Sequence, residues 1–344
     1  MNEIRKRLAI RDPVSTIQPM KRITMLVAIL LAGCSSPPDI HETRFMMGTL
    51  VEFTISGVDK NVAMPAIQAA TAEMQRVDNM FTIYGTAPNP VKALNNEQVG
   101  HPFPLPKEIS RVLRTALQIQ QKSGGLFDPA LGKLDLLWGF SLPDPRTTPP
   151  SDQQIRNAIP PKTCFTEVDA GWIRQNQRCA LDFGAIAKGY AIDRGMAALQ
   201  SHGIRNAIIN AGGDLRMIGS HNGKPWRIGI RHPRKPDAVL ATLEMHGDAS
   251  IVTSGDYERF FIYDGRRYHH ILNPKTGYPA MLSQSATVIA PNATLADGWS
   301  TALFVEGPAG IKSLARRNGF AAMLVDRNGK LHMTDNMRKI SHLP

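Results

Sequence analysis

The chain has 344 residues, of which 42% are hydrophobic and 20% charged, a composition typical of a globular protein and not of a disordered one. Its formal net charge of +11 falls to +7 without residues 1–33, which carry six basic and two acidic residues. This balance suits an anionic ligand or a membrane surface, and the absence of any lysine- and arginine-rich block in the sequence predicts no nucleic-acid partner.

The N-terminal segment is typical of an export signal. Met20 is followed by two basic residues and by the apolar run 23–32, which is too short to span a bilayer as a mature helix. "LAGC", residues 31–34, resembles the lipobox of bacterial lipoproteins, in which the cysteine carries lipid. We expect a signal peptide over 1–33, with Met1 or Met20 as its start, a lipidated tether over 34–42 and a single domain over 43–340. The alternative is a simple signal peptide in which Cys34 is incidental.

The spacing of apolar residues predicts an α+β fold with grouped strands and interspersed helices. No glycine fingerprint of a dinucleotide-binding βαβ unit is found in the sequence. Loops are expected over the proline-rich stretches 102–106 and 143–150. The predicted helices are 62–81, 108–122, 152–158, 187–202 and 308–318. The predicted strands are 43–56, 206–210, 226–231, 239–245, 260–264, 285–290 and 321–326.

Two cysteines remain in the exported chain, Cys164 and Cys179. They lie in two short extended runs around a polar turn at 175–177, so a hairpin could place the sulfurs opposite each other in an oxidising compartment. Two inert buried thiols are the alternative, because a sequence supplies no Cα distance. A zinc site is excluded, since paired spacing and nearby histidines are missing from the sequence around them.

Five glycine-bearing segments carry side chains that a plain core does not require. A lysine that begins a helix, as Lys188 does, is well placed for a phosphate group. Strand alternation predicts that one of the two adjacent histidines faces solvent. The segments are "SGGLFDPALGKLDLLWGF" with Asp128, "LDFGAIAKGYAID" with Asp182 and Lys188, "NAGGDLR", "TSGDYERFF" with Tyr257 and Arg259, and "YHHILNPKTGYP" with His269 and His270.

A sixth segment, "ADGWSTALF", places Asp297 and Thr301 one turn apart on the same face of a predicted helix. A carboxylate and a hydroxyl in this arrangement are hard oxygen ligands of the kind that magnesium prefers. The alternative is a capping box, in which Thr294 and Asp297 close the start of the helix.

In their order along the chain, these segments and "MGT" at 47–49 resemble the ApbE family of FAD:protein FMN transferases. The resemblance runs from about Met46 to Asp326. It implies a T-fold-like α+β protein of mixed sheets with helices packed on them, and FAD in a cleft between two subdomains. It further implies a magnesium-dependent enzyme that joins the FMN half of FAD to a threonine of an exported or membrane acceptor, such as a subunit of a redox-driven membrane complex. AMP is released. Members are typically exported, often as lipoproteins, which agrees with a location on the periplasmic side of a bacterial membrane.

The resemblance also assigns roles to individual residues. Asp297, Thr301 and the carbonyl of Ala185 would bind magnesium, with Ser300 as a minor contributor. His270 is the candidate base, and His269 would point away. The residues expected to contact FAD are Met47, Tyr84, Leu126, Phe127, Asp128, Asp182, Lys188 and Ile271.

This chain departs from the family pattern at Gly298-Trp299 in the metal-binding helix and at Asn273, where aspartate is frequent. The early segment around Tyr84 is short of its usual serines. Two other functions share these residues. One is a periplasmic FAD pyrophosphatase, in which water replaces threonine as acceptor. The other is a lipid-anchored protein that only binds FAD, which the joint presence of a base and a metal site disfavours.

Overall fold

The computed structural model describes residues 38–344. The predictions on the signal peptide, its starting methionine and Cys34 lie outside these residues. Residues 40–42, expected in the tether, already belong to the first strand. Between residues 38 and 344, no helix is long and apolar enough to cross a membrane.

One large antiparallel sheet organises the fold. Its strand order is β1-β2-β6-β7-β10-β13-β14-β15, and three smaller sheets have the orders β3-β5-β4, β8-β9-β16 and β11-β12. The strands are β1 Ile40–Met46, β2 Thr49–Ile55, β3 Pro102–Phe103, β4 Phe165–Val168, β5 Gly171–Arg174, β6 Ala207–Ala211, β7 Asp214–Ile218, β8 Trp226–Arg231, β9 Val239–Met245, β10 Ala249–Gly255, β11 Phe260–Tyr263, β12 Arg266–His269, β13 Ser283–Ala290, β14 Ala321–Asp326, β15 Leu331–Met333 and β16 Ser341–His342.

Helices connect these strands and cover the large sheet. They are α1 Lys60–Phe81, α2 Pro90–Asn96, α3 Lys107–Ser123, α4 Gly132–Trp138, α5 Asp152–Ala158, α6 Ala187–Ser201, α7 Ala293–Glu306, α8 Arg316–Asn318 and α9 Asp335–Ile340, with a π-helical turn over Ile311–Ala315 before α8.

The fold has three layers. Helices α1, α6 and α7 pack on one face of the large sheet around a core that includes Phe53, Met74 and Phe304. The sheet β8-β9-β16 packs on the other face through Trp226 and its apolar neighbours. Both faces of the central strands are therefore buried, which explains why β13 reads as a nearly continuous buried run.

The predicted α+β class is confirmed, and most predicted elements lie within two or three residues of the observed ones. The strand expected over 43–56 is wrong as one element, because Met47 and Gly48 have φ of 54° and 70° and break it into a hairpin. Positive φ at both central residues is the type I′ geometry that joins antiparallel strands. The loop predicted over 102–106 contains the short strand β3, and the helix predicted over 308–318 is partly π-helical.

Cys164 and Cys179 form a disulfide, with Cα atoms 5.4 Å apart. Of the two alternatives left open by the sequence, the structure therefore supports the bridge. The bridge closes the hairpin β4–β5, one cysteine preceding β4 and the other following β5. The hairpin turns at 169–170 and not at 175–177, where the polar turn was expected.

Candidate active site

Asp297 lies where helix α7 meets the start of α6. It is 5% exposed, and its Oδ2 accepts a hydrogen bond of 2.9 Å from the main-chain N–H of Gly189. A Cβ on Gly189 would lie 2.1 Å from the carbonyl oxygen of Ala293 and 2.9 Å from Cβ of Asp297. Only glycine permits this approach of the two helices, so "AKGYA" supplies both the amide donor and the space for it.

The capping-box interpretation of Thr294 and Asp297 is wrong. Asn292 caps α7 and accepts from the N–H of Leu295 at 2.9 Å. The carboxylate of Asp193 on α6 accepts from the N–H groups of Ala293 and Thr294, both at 2.9 Å. The first turn of α7 is thereby satisfied without Asp297, which leaves its carboxylate free for another role.

Lys188 forms an ion pair with Asp214, the first residue of β7, whose side chain is 4% exposed. Burial and then the charge of Asp214 together raise the pKa of Asp297 to about 7, although Lys188 opposes them. Burial by itself lowers the pKa of Lys188, but the two carboxylates outweigh it and raise that pKa. Two buried carboxyl groups thus face one lysine, and this excess of negative charge favours a bound cation.

Hydroxyl groups extend this cluster along α7. The Oγ of Ser254 on β10 lies 2.8 Å from Oγ of Ser300 and 3.3 Å from Oγ1 of Thr301. Ser300 donates to the main-chain carbonyl of Asp297 at 2.9 Å, so its hydroxyl is engaged within the protein. Ala185 lies in the turn that leads into α6, three residues before Lys188.

These donors suit a hard cation. Between residues 38 and 344, no group of three or more His, Cys, Asp or Glu side chains is arranged to hold a metal. A site of one carboxylate, one hydroxyl and one carbonyl has the oxygen donors of magnesium, which keeps several waters, and lacks the nitrogen and sulfur donors of zinc. The residues present therefore fit the predicted ion.

The two histidines have different environments. His269 ends β12 and is 2% exposed, and its Nε2 donates to the carbonyl of Ala280 at 2.7 Å while Nδ1 accepts from the N–H of Ile271 at 3.3 Å. Burial lowers its pKa to about 4, so the ring is neutral. The ring of His269 packs edge-on against Phe304 in the core, with ring centres 5.4 Å apart.

His270 follows the strand and is half-buried, so the expectation that one of the pair faces solvent is wrong. Its N–H donates to the carbonyl of Arg259 at 3.1 Å. Its Nδ1 is buried and makes no hydrogen bond to any residue between 38 and 344. Burial, and then the charge of Arg259, lowers its pKa to about 3. The ring is therefore neutral at neutral pH, with one ring nitrogen that carries no proton.

A second set of acidic side chains lies near Tyr84. The phenol donates to Oδ2 of Asp182 at 3.3 Å, and Oδ1 of Asp182 accepts from the N–H of Gly184 at 2.7 Å. Burial raises the pKa of Asp128 and Asp182, and it raises that of Asp135 still further because Asp182 lies beside it. Asp135 was not predicted as a site residue. A carboxyl group with a raised pKa can bind a proton more readily and can then donate a hydrogen bond as well as accept one.

The remaining residues expected to contact FAD differ in accessibility. The side chains of Leu126, Phe127 and Ile271 belong to the core, at 8%, 2% and 6% exposure, so they present mainly backbone to a ligand. Met47 is half-buried in the turn between β1 and β2. Its unusual backbone conformation, in a residue with a side chain, is typical of a functional position.

Glycine pairs have two distinct uses here. Gly212 and Gly213 form the positive-φ turn between β6 and β7, and a Cβ on Gly212 would lie 2.3 Å from Oγ1 of Thr49, so "NAGGD" and "MGT" form one packed unit. Gly124 and Gly125 instead end helix α3 with positive φ, and a Cβ on either would meet no atom within 4 Å. Glycines with positive φ at this position terminate helices.

The sequence profile of the ApbE family matches residues 47–324, most of the chain. The chain belongs to the ApbE family. It is 32% identical to an FAD:protein FMN transferase of Rhodobacter capsulatus over 92% of its length, although it spans only 62% of that relative. It is 30% identical to the Escherichia coli K12 protein of the same name, covering 90% of this chain and 93% of that one.

Solved ApbE structures share the fold. The ApbE protein of Thermotoga maritima superposes with a TM-score of 0.79 and 32% identity, over 89% of this chain and 100% of that one. The apo flavinyl transferase ApbE of Pseudomonas stutzeri gives 0.76 and 29%, over 89% and 98%. The similarity therefore covers the catalytic unit as a whole.

The departures from the ApbE pattern leave the local structure intact. Gly298 lies against Ile119, whose Cδ1 would be 2.6 Å from an added Cβ, and Trp299 packs on Phe320 with ring centres 5.4 Å apart. Helix α7 continues through both residues. Asn273 accepts from the N–H of Lys275 at 2.9 Å and organises the turn after the histidines.

Sequence reasoning did not assign Asp214, Ser254, Asp135 or Arg259 to the site. Asp214 and Arg259 lie in segments that were recognised as functional, and a carboxylate directly after a Gly-Gly turn was the available signal for Asp214. Ser254 and Asp135 also lie in such segments, but only the packing of β10 on α7 and the proximity of Asp135 to Asp182 bring them into the site.

Proposed function

We propose that this ApbE-family protein transfers the FMN half of FAD to a threonine hydroxyl of an acceptor protein and releases AMP. The activity in the names of its relatives supports this. The observation that carries the proposal is the junction of α6 and α7. There Lys188 pairs with Asp214, Gly189 donates to Asp297, and Thr301 follows Asp297 one turn later on α7, within hydrogen-bond distance of Ser254. A purely structural junction would not require two buried carboxyl groups and a lysine.

Magnesium would be held by Asp297, Thr301 and the carbonyl of Ala185, and when bound it would neutralise charge on the FAD diphosphate. Lys188 would add positive charge from the start of α6, where main-chain N–H groups also favour phosphate. The FAD cleft would run from these residues to Tyr84, Asp128 and Asp182. The carboxyl groups of the two aspartates can accept hydrogen bonds from N–H or hydroxyl groups of the ligand.

The chain's own groups account for the proton transfer. His270 has an unprotonated ring at neutral pH because burial lowers its pKa to about 3. It would take the proton of the threonine hydroxyl as the oxygen attacks phosphorus. The backbone of His270 is held in place by its N–H bond to the carbonyl of Arg259, and the ring of the preceding His269 is fixed by two hydrogen bonds.

We propose further that the protein is exported and anchored by lipid at Cys34 on the periplasmic side of a bacterial membrane, where its acceptor would be an exported or membrane protein. The lipobox-like "LAGC" supports this. The disulfide Cys164–Cys179 supports export independently, because such bonds persist in oxidising compartments.

The test is mass spectrometry of the products formed from FAD, magnesium and a threonine-containing acceptor peptide, with the same peptide carrying valine as control. Transfer gives AMP and a peptide heavier by the FMN group. Free FMN and AMP with either peptide would instead show an FAD pyrophosphatase. Unchanged FAD that remains bound would show a non-enzymatic flavin-binding protein. The His270→Gln variant should bind FAD and lose transfer.

A further inference from the structure

The side chain of Arg259 is positively charged and has no role in the reaction proposed above. It lies between β10 and β11 and is exposed. Its Nη1 donates to Oγ of Ser141 at 2.9 Å, and its Nη2 would lie 3.7 Å from a Cβ on Gly48, in the turn that carries Met47. The guanidinium therefore sits among loops that line the candidate site.

The charge of Arg259 is not neutralised by any carboxylate between residues 38 and 344. By contrast, Arg231 pairs with Glu258 at 3.6 Å and Arg234 pairs with Asp256 at 2.6 Å. Lys188 is likewise paired, with Asp214. Arg259 is thus the site cation that is free to bind an external anion.

The backbone fixes Arg259 relative to the candidate base. Its carbonyl accepts from the N–H of His270 at 3.1 Å, which continues the ladder in which Phe260 pairs with His269. Its positive charge favours the ionised form of Asp182 and disfavours the protonated form of His270. The guanidinium is accordingly close enough to both Asp182 and His270 for its charge to act on them.

We propose that Arg259 binds the diphosphate of FAD and stabilises the negative charge that develops on the AMP phosphate as it leaves. A guanidinium suits this role because its planar N–H groups match phosphate oxygens. The proposal rests on the proposed function and adds to it a catalytic residue.

The bond changes define what Arg259 stabilises. The threonine oxygen forms a bond to the phosphorus on the FMN side, and the bond from that phosphorus to the bridging oxygen breaks. The electron pair stays on the bridging oxygen, which leaves as part of AMP, and the threonine proton goes to His270. Arg259 donates hydrogen bonds to phosphate oxygens whose charge grows in this step.

The experiment compares Arg259→Gln and Arg259→Lys with Arg266→Gln, which removes a charge from the same hairpin at an exposed residue stacked on Tyr268. Affinity is measured by flavin fluorescence for FAD and for riboflavin, which has no phosphate. Arg259→Gln should weaken FAD binding by about tenfold to a hundredfold and leave riboflavin binding unchanged. Its kcat for transfer should fall by about a hundredfold. Arg259→Lys should retain part of the FAD affinity and part of the kcat. Arg266→Gln should match the wild type in both quantities.

An equal loss of FAD and riboflavin binding would show a structural role and overturn the proposal, as would FAD affinity and kcat equal to those of Arg266→Gln. If the wild-type protein binds FAD but transfers no FMN, the proposed function fails, and the FAD-to-riboflavin comparison still decides whether Arg259 binds the diphosphate. Arg259 is exposed, so the variants should fold, which far-UV circular dichroism checks.

Discussion

The main-chain N–H of Gly189 donates a 2.9 Å hydrogen bond to the carboxylate of Asp297, across the contact between helices α6 and α7. This bond fixes one carboxylate oxygen in an environment where burial otherwise opposes its charge. It also couples the lysine at the start of α6 to the oxygen ligands on α7. The geometry of the site therefore depends on a residue that has no side chain.

Gly189→Ala should destabilise the protein and reduce transfer together, because the added methyl group would overlap the carbonyl of Ala293. Overpacking of this kind costs roughly 1–3 kcal/mol in the free energy of unfolding, measurable by urea denaturation. Gly229→Ala is the matched control, since its Cβ would meet nearest atoms at 3.6 Å, an ordinary contact. Equal stability of the two variants would show that α6 and α7 can separate without cost.

Asp297→Asn should abolish FMN transfer and leave the fold intact, because a charged oxygen ligand is lost and no apolar contact changes. Raising magnesium should rescue activity only weakly. Thr301→Ala should be milder, since water can replace a neutral ligand. Transfer rates over a magnesium series test this, with the exposed Asp237→Asn as control. Full activity of the Asp297 variant would contradict the metal assignment.

The buried His269 should make stability depend on pH. Its pKa falls from 6.5 to about 4 on folding, so below pH 6.5 the unfolded chain binds a proton that the folded protein does not. The free energy of unfolding should therefore decrease as pH falls from 6.5 to about 4, by up to about 3 kcal/mol from this residue. His269→Gln should remove this part of the slope in urea titrations, whereas the exposed His101→Gln should not. Parallel slopes for all three proteins would contradict the assignment.

The disulfide should stabilise the fold by restricting the unfolded chain. It spans a sequence separation of 15 residues, for which loss of the bridge costs roughly 3 kcal/mol. A double Cys164→Ser, Cys179→Ser variant should melt at a lower temperature than the oxidised wild type and keep transfer activity, because none of the proposed site residues lies between the two cysteines. Reduced wild type should behave like the variant. A variant with unchanged melting temperature would argue against a stabilising bridge.

Cys34 should determine membrane attachment. Cys34→Ala should release the protein from membranes, while Ser35→Ala should leave it attached, because only the cysteine can carry lipid. Fractionation of cells expressing each protein measures this. Membrane attachment of the unprocessed Cys34 variant, or a soluble wild type, would refute the lipobox interpretation.

Regular elements were predictable where the periodicity is local. Strands β8, β9 and β14 were predicted with their observed bounds because alternation of apolar residues needs no distant partner. The hairpin at Met47 and Gly48 was not predicted, since methionine rarely adopts positive φ. The carboxyl group of Asp78 lies close to the backbone of Met47, and this proximity exists only once α1 has packed on the sheet.

The sequence by itself determined the family, the α+β class and the segments that bear the chemistry, because these are properties of residue type and order. The tertiary structure decided what each residue does. Asp297 was compatible with a cap or a ligand until Asn292 and Asp193 were found to cap the helix. Ser254 and Arg259 join the site through contacts between segments far apart in the chain. Side-chain burial and charge proximity arise from packing, which no local pattern encodes.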